Sequence, residues 1–201
     1  MTDHASQSSR GGLLRQDLSR MYGLTSGSTT SRVIEMYRTP GVHAIIIYRV
    51  RRWLKDKNPI VRLLINPLFL YLEHRMRSKW GIEIHSGAAI GGGFVILHHG
   101  GIFISSRSTI GRDFSIAHDV TIGTDGRGSK LGAPTIGDNV AINPGAKVHG
   151  KIRIGHNVRI GPNAVVNRNV PDNALVHVRS MQVAIFPSLY GTGEVATRKP
   201  D

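Results

Sequence analysis

"TIGDNVAINPGAKVHGKIRIGHNVRIGPNAVV", residues 135–166, carries an aliphatic residue at every sixth position: Ile136, Ile142, Val148, Ile154, Ile160 and Val166. A period of six matches neither the 3.6 of an α-helix nor the 2 of a strand. It suits a short strand followed by a tight corner, with the aliphatic residue turned inward and the small or polar residue after it letting the chain turn. Three such sides close a coil of about 18 residues, and stacked coils pair their strands about 4.8 Å apart around one aliphatic column. The expected fold is mainly β, a parallel β-helix of hexapeptide repeats.

Towards the N-terminus the same beat runs through Ile84, Ile90, Ile96 and Ile102, then through Ile104, Ile110, Ile116 and Ile122. It breaks twice. A two-residue shift separates Ile96 from Ile104 across "LHHGGIF", and a 14-residue step leads from Ile122 to Ile136 across "GTDGRGSKLGAPT". Insertions in a solenoid leave as surface loops, where they can present chemistry without disturbing the column. With the shift removed, His118 falls one coil after His98, so the two should stack on one corner with His99 beside them and Glu83 about one coil earlier. A histidine oriented by a carboxylate is a good general base near neutral pH.

The first 80 residues differ in character. They hold 14 Lys+Arg against 5 Asp+Glu, most of the net charge of +13. Residues 1–28 are expected to form a flexible basic arm with a short helix near Leu13 to Tyr22. Residues 29–80 read as an α-helical N-terminal domain broken near Pro40-Gly41 and Asn58-Pro59. Residues 81–178 are the β-helix domain and 179–201 a C-terminal tail. Arg49, Arg51 and Arg52 alternate with Ile45, Val50, Trp53 and Leu54, a basic amphipathic pattern that suits an anionic membrane surface. No nucleic-acid module or aromatic stacking platform is evident. With no cysteine, disulfides and thiolate-bound zinc are excluded. The polar N-terminus lacks a signal-peptide core, so the expected location is cytoplasmic, with peripheral contact at the inner face of the membrane.

From about residue 36 to 178, the segments "YRTPGVHAIIIYRVRRWL", "GIEIHSGAAIGGGFVILHHGGIFIS" and "VTIGTDGRGSKLGAPTIGDNVAINPGAKVHGKIRIGHNVRIGPNAVVNRNVPDNALV" resemble, in order, the serine acetyltransferase family of hexapeptide-repeat acyltransferases. The resemblance implies a left-handed β-helix, a homotrimer with active sites between subunits, and acetyl-CoA as donor, with no metal. It puts the catalytic histidine of an Asp-His-x-x-Gly motif on His99 and the orienting aspartate of Asp-Ile-His-Pro on Glu83. Gly123, Thr124, Gly145, Ala146 and Lys147 would line the pantetheine groove, and Lys130 or Arg127 would approach the CoA phosphates. His98 replaces the acid before the catalytic histidine and would face the acceptor, while His118 would assist.

Three departures stand out. The motif is one residue short at Gly100-Gly101, the Arg-His pair before proline is Gly132-Ala133, and the usual Gly-Val-Pro-Ala-Arg after the last coil is "VHVRSMQVAIF". With both amino-acid clamps replaced, the expected acceptor is a sugar or polysaccharide precursor, taken by direct acetyl transfer. Serine is the alternative. A histidine-metal hydratase of the carbonic anhydrase type and a non-catalytic membrane-surface scaffold are further alternatives from other classes.

Overall fold

A computed structural model describes residues 10–127 and 131–178. Three parallel sheets form the sides of a triangular solenoid. The first holds β1 (Ile82–Ile84), β4 (Ile102–Ile104), β7 (Thr121–Gly123), β10 (Lys147–His149) and β13 (Val165–Val166). The second holds β2 (Ala89–Ile90), β5 (Thr109–Ile110), β8 (Thr135–Ile136) and β11 (Arg153–Ile154). The third holds β3 (Val95–Ile96), β6 (Ser115–Ile116), β9 (Ala141–Ile142), β12 (Arg159–Ile160) and β14 (Leu175–Val176).

Register fixes the length of each coil. Ile136 pairs with Ile154 and Ile104 with Ile122, both steps of 18. Val95 pairs with Ser115, a step of 20, and Ile110 with Ile136, a step of 26. The two longer coils contain the two interruptions seen in the sequence. Inside, Ile104, Ile116, Ile122, Ile142, Ile154 and Ile160 are all buried, and Phe94 stacks on Phe114 with ring centroids 5.7 Å apart. Each such side chain contributes about 1.5–3 kcal/mol on burial. At one corner Asn139, Asn157 and Asn173 take left-handed φ of 54°, 55° and 60°, and their amides form a ladder with 2.9 Å bonds.

Four helices precede the solenoid: α1 (Arg10–Leu24), α2 (Thr29–Arg38), α3 (Pro40–Leu54) and α4 (Pro59–Trp80). The breaks at Pro40 and Pro59 fall where expected, because proline suits the first helical turn. Ser28 and Asn58 cap α2 and α4 through their side chains, and Gly81 ends α4 in the left-handed conformation.

These helices close the open edge of the first coil, whose backbone has no earlier coil to pair with. Tyr48 Oη donates to Ala88 O (2.8 Å) and accepts from Ile90 N (3.2 Å), and Arg52 also reaches Ala88 O (2.6 Å). Arg49 donates to Ile90 O (2.7 Å) and Gly91 O (2.5 Å), while Arg20 takes Gly93 O. Asp17 accepts from Phe94 N (2.8 Å) and pairs with Arg49 at 2.7 Å. An uncapped edge strand is a template for aggregation, and here side chains blunt it.

Two expectations are corrected by this cap. The short helix expected near Leu13 to Tyr22 is α1, but it does not sit in a loose arm: it docks through Asp17, which is 1% exposed, and burial pushes that carboxyl above 3.8 against the opposing pull of Arg49 and the Phe94 amide; residues 1–9 lie outside the described residues. Nor does the basic pattern of α3 face outward. Arg49 and Arg52 turn onto the first coil, and Arg51 is held by Glu73 (3.0 Å) and Asn66 (2.7 Å). Among the described residues no helix is long and apolar enough to cross a membrane. The tail, 179–201, lies outside the described residues.

Candidate active site

The corner between the third and first sheets recurs in every coil. In the second coil it is Ala117-His118-Asp119-Val120, with Asp119 at φ 56°; in the third it is Asn143-Pro144-Gly145-Ala146, with Gly145 at φ 78°. In the first coil Leu97 N bonds Ile116 O, so Leu97 matches Ala117 and His98 matches His118. Gly101, at φ 63°, takes the left-handed place of Asp119, and a Cβ on it would lie 2.9 Å from the Asp119 Cα. The two extra residues are therefore His99 and Gly100. The insertion answers to no core position. Its effect is to lift one imidazole off the solenoid.

His99 is exposed and meets the Trp80 ring edge-on, centroids 5.0 Å apart at 89°. Trp80 is the last residue of α4, and the following Gly81 O accepts from Ile102 N at 2.8 Å, so the end of the helix and the insertion are tied together. His98 and His118 lie on successive coils of this corner and meet edge to face, centroids 5.8 Å apart at 70°. Across from the imidazoles stand α2 and the start of α3. A cleft of about 410 Å³ is lined by Glu35, Arg38, Pro40, Leu97, His98 and His99 among others. Glu35 and Arg38 are exposed, and among the described residues neither has an ion-pair partner. Sequence reasoning missed both. Their i, i+3 spacing on an amphipathic helix was visible, but nothing in the sequence placed α2 beside "HHGG".

Glu83 does not orient His99 within the chain. It points outward from β1 beside Phe103, and its charge partner is Arg77 at 3.9 Å. The period-two alternation of the strand explains this, because Ile82 and Ile84 take the inward positions. A carboxylate-held imidazole does exist elsewhere: His149 Nδ1 lies 3.0 Å from Asp125 Oδ2. The Gly126 amide, then His149, hold the Asp125 carboxyl below its ordinary 3.8. Asp125 and Gly132 exchange backbone hydrogen bonds of 3.0 and 3.1 Å, which closes the root of the long loop. The stem of Lys151 fills the space that a side chain at Gly132 would need, 2.6 Å from the ideal Cβ.

The expected donor-binding residues fall at opposite ends of the first sheet's strands. Gly145 lies at the histidine corner, its N bonded to His118 O at 3.2 Å, and Lys147 reaches Asp119 O (2.7 Å) and Oδ1 (3.0 Å). Gly123 and the exposed Thr124 lie at the far corner, beside His149, about 13 Å away for four extended residues. Ala146 is fully buried in the column, so only its backbone can meet a ligand. Lys130 lies outside the described residues, and Arg127 is exposed in the loop. Among the described residues no group of three His, Asp or Glu within the chain could hold a metal ion.

Residues 133–168 match the family model described as bacterial transferase hexapeptide (six repeats). Serine acetyltransferase of Mycobacterium tuberculosis is 40% identical over 148 residues, 74% of this chain and 61% of that protein. Serine acetyltransferase of Helicobacter pylori strain J99 is 39% identical over 136 residues, 66% of this chain and 74% of that protein. The crystal structure of Neisseria gonorrhoeae serine acetyltransferase in complex with serine superimposes with a TM-score of 0.67 at 28% identity, covering 88% of this chain and 69% of that one. The chain spans 61%, 54% and 51% of three of the curated relatives it matches. On the hexapeptide coils, the inserted histidine and these similarities, the chain belongs to the serine acetyltransferase family of hexapeptide-repeat acyltransferases.

Proposed function

We propose that the protein is an acetyl-CoA-dependent O-acetyltransferase whose acceptor is L-serine. The observation that carries this reading is the cleft in which His98 and His99 face Glu35 and Arg38. An amino acid needs a cation for its carboxylate and an anion for its ammonium, and a site built for those groups discriminates strongly. Gly132-Ala133 and His98 replace the family's two clamps and by themselves favour a sugar; Arg38 and Glu35 supply the two charges from the helical domain, and the relatives named above support serine.

In the proposed mechanism His99 takes the proton of the serine hydroxyl, and the hydroxyl oxygen attacks the thioester carbonyl carbon. Backbone amides at the corner stabilise the oxyanion of the tetrahedral intermediate. The carbon–sulfur bond then breaks, and the imidazolium returns its proton to the departing thiolate. O-acetylserine and free CoA leave. Trp80 positions the imidazole. The donor would lie between protomers of a trimer, in a groove where the histidine corner of one subunit would meet the Gly123-Thr124 corner of the next. One chain alone presents these two corners on different edges.

A sugar acceptor is the second reading, favoured by Gly132-Ala133 in the loop. Thiol release from acetyl-CoA, measured with L-serine, L-homoserine, simple hexoses and nucleotide sugars, decides between them. Serine turnover is expected at kcat/KM of about 10⁴ M⁻¹s⁻¹ or more, and His99→Ala should lower it by about 10²–10⁴-fold with CoA binding intact. Turnover of a sugar without turnover of serine would install the second reading.

A further inference from the structure

The outward face of α4 is apolar for three turns and has no partner among the described residues. Ile60, Leu63, Leu64, Leu68 and Tyr71 are 67%, 74%, 75%, 57% and 56% exposed. They recur at i, i+3, i+4, i+8 and i+11, one stripe of a helix. A soluble surface scatters exposed leucines singly, and a contiguous row of this kind marks an interaction site.

The surroundings of the row identify its chemistry. At the α3–α4 turn stand Lys55, Lys57 and, one turn into α4, Arg62; beyond Tyr71 stand Arg75 and Lys79. Arg62, Arg75 and Lys79 have no carboxylate within ion-pair distance among the described residues, and no exposed position of α4 is acidic. Glu73 turns inward to Arg51, and the one acid at the turn is Asp56, which is itself engaged. Trp53, 40% exposed, lies beneath the Lys57 ammonium at 4.3 Å. Burial and the neighbouring Arg52 and Arg51 push the Lys55 ammonium below its ordinary 10.5, a further sign of positive potential there.

We propose that α4 and the α3–α4 turn dock the protein on an anionic phospholipid bilayer, with the Ile60–Tyr71 row entering the headgroup–acyl boundary and the lysines and arginines contacting the phosphates. An apolar face fringed by Lys and Arg, with Trp and Tyr at its ends, is the composition of a helix that lies in a membrane interface. Charge decides against a second copy of the chain. A two-fold contact through this row would bring its cationic fringes together, whereas a bilayer of negative headgroups neutralises them. The apolar row ends at Tyr71, nine residues before Trp80 and the cleft at His99, and the docking does not depend on which acceptor the enzyme uses.

The test is flotation of the full chain with vesicles of phosphatidylcholine alone and of phosphatidylcholine containing about one-third phosphatidylglycerol. The wild type should float with the anionic vesicles only. The Leu64→Glu/Leu68→Glu protein should lose about 100-fold or more in partitioning at any salt concentration. The Lys57→Glu/Arg62→Glu protein should lose about tenfold or more and most of its salt dependence. Solution turnover and oligomer mass should stay at wild-type values in both. A second measurement needs neither variant: in Trp80→Phe the sole tryptophan is Trp53, and lipids brominated in the upper acyl chain should quench it. Absence of flotation and quenching, equal flotation of the leucine variant, or a fall in its oligomer mass would overturn the proposal, the last by giving the face to a second copy.

Discussion

Removing Arg49 should unlatch the helical cap from the solenoid. Its side chain is 4% exposed and that of Asp17 1%, so Arg49→Ala strands a carboxylate with no access to water. Breaking a buried pair from one side costs about 3–5 kcal/mol. Two backbone acceptors, Ile90 O and Gly91 O, lose their bonds in the same step. Buried pairs in general tolerate joint replacement by apolar residues, but here that remedy should fail. Asp17→Leu/Arg49→Met would leave Phe94 N, Ile90 O and Gly91 O without partners at the edge of the first coil, each costing about 1–3 kcal/mol. The expected result is two single variants destabilised by about 3–5 kcal/mol each, with a double variant no more stable than either and far short of their sum. Urea midpoints followed by circular dichroism at one fixed protein concentration measure all three. Single-variant costs below about 1 kcal/mol, or a double variant restored to wild type, would refute the view that these side chains substitute for a missing coil.

Three further outcomes follow from the site. Arg38→Met and Glu35→Gln should each raise KM for serine by about tenfold or more while leaving KM for acetyl-CoA within about twofold, as steady-state kinetics would report; an unchanged serine KM removes them from the acceptor site. Asp125 has a folded pKa below 3.8, so the order it gives the loop root is present above pH 3.8 and is lost as pH falls through that lowered value; NMR of the His149 ring across pH 2–5 should show the contact breaking only in the acid part of that range. Ala146→Leu should destabilise by about 1–3 kcal/mol through overpacking of the column, detected as a lower urea midpoint, and any loss of CoA affinity should track that unfolding.

The column was legible because a solenoid's core is written in a fixed period, and the six-residue beat from Ile90 to Val166 runs along it; the equally buried Val120, Val140 and Val158, two residues ahead of that beat, were not read. The place of the insertion was legible for the same reason, as was the placing of His98 and His118 on successive coils of one corner. What escaped depends on contacts between segments far apart in sequence. Arg49, Arg51 and Arg52 look like a solvated basic face until the open edge of the first coil supplies acceptors for them. Glu83 and His99 lie within reach on a diagram of repeats, yet the strand alternation turns Glu83 towards Arg77. Glu35 and Arg38 carry no motif, and only the packing of α3 against β3, with Gly41 so close that a Cβ would come 2.8 Å from that of Ile96, and of α2 against α3 brings them to the histidines.

Because His99 and Gly100 add no residue to the column, they can be taken away by subtraction. A chain lacking only these two should close its first coil in 18 residues, as the second does, with Gly101 still at its left-handed corner. It would be a folded scaffold without the His99 imidazole, differing from the wild type in the backbone path of one turn. On the role proposed for His99, reactivity in this architecture is an appendage spliced between two structural beats. A lineage could therefore gain, lose or relocate it by a two-codon insertion or deletion, without ever passing through an unfolded ancestor.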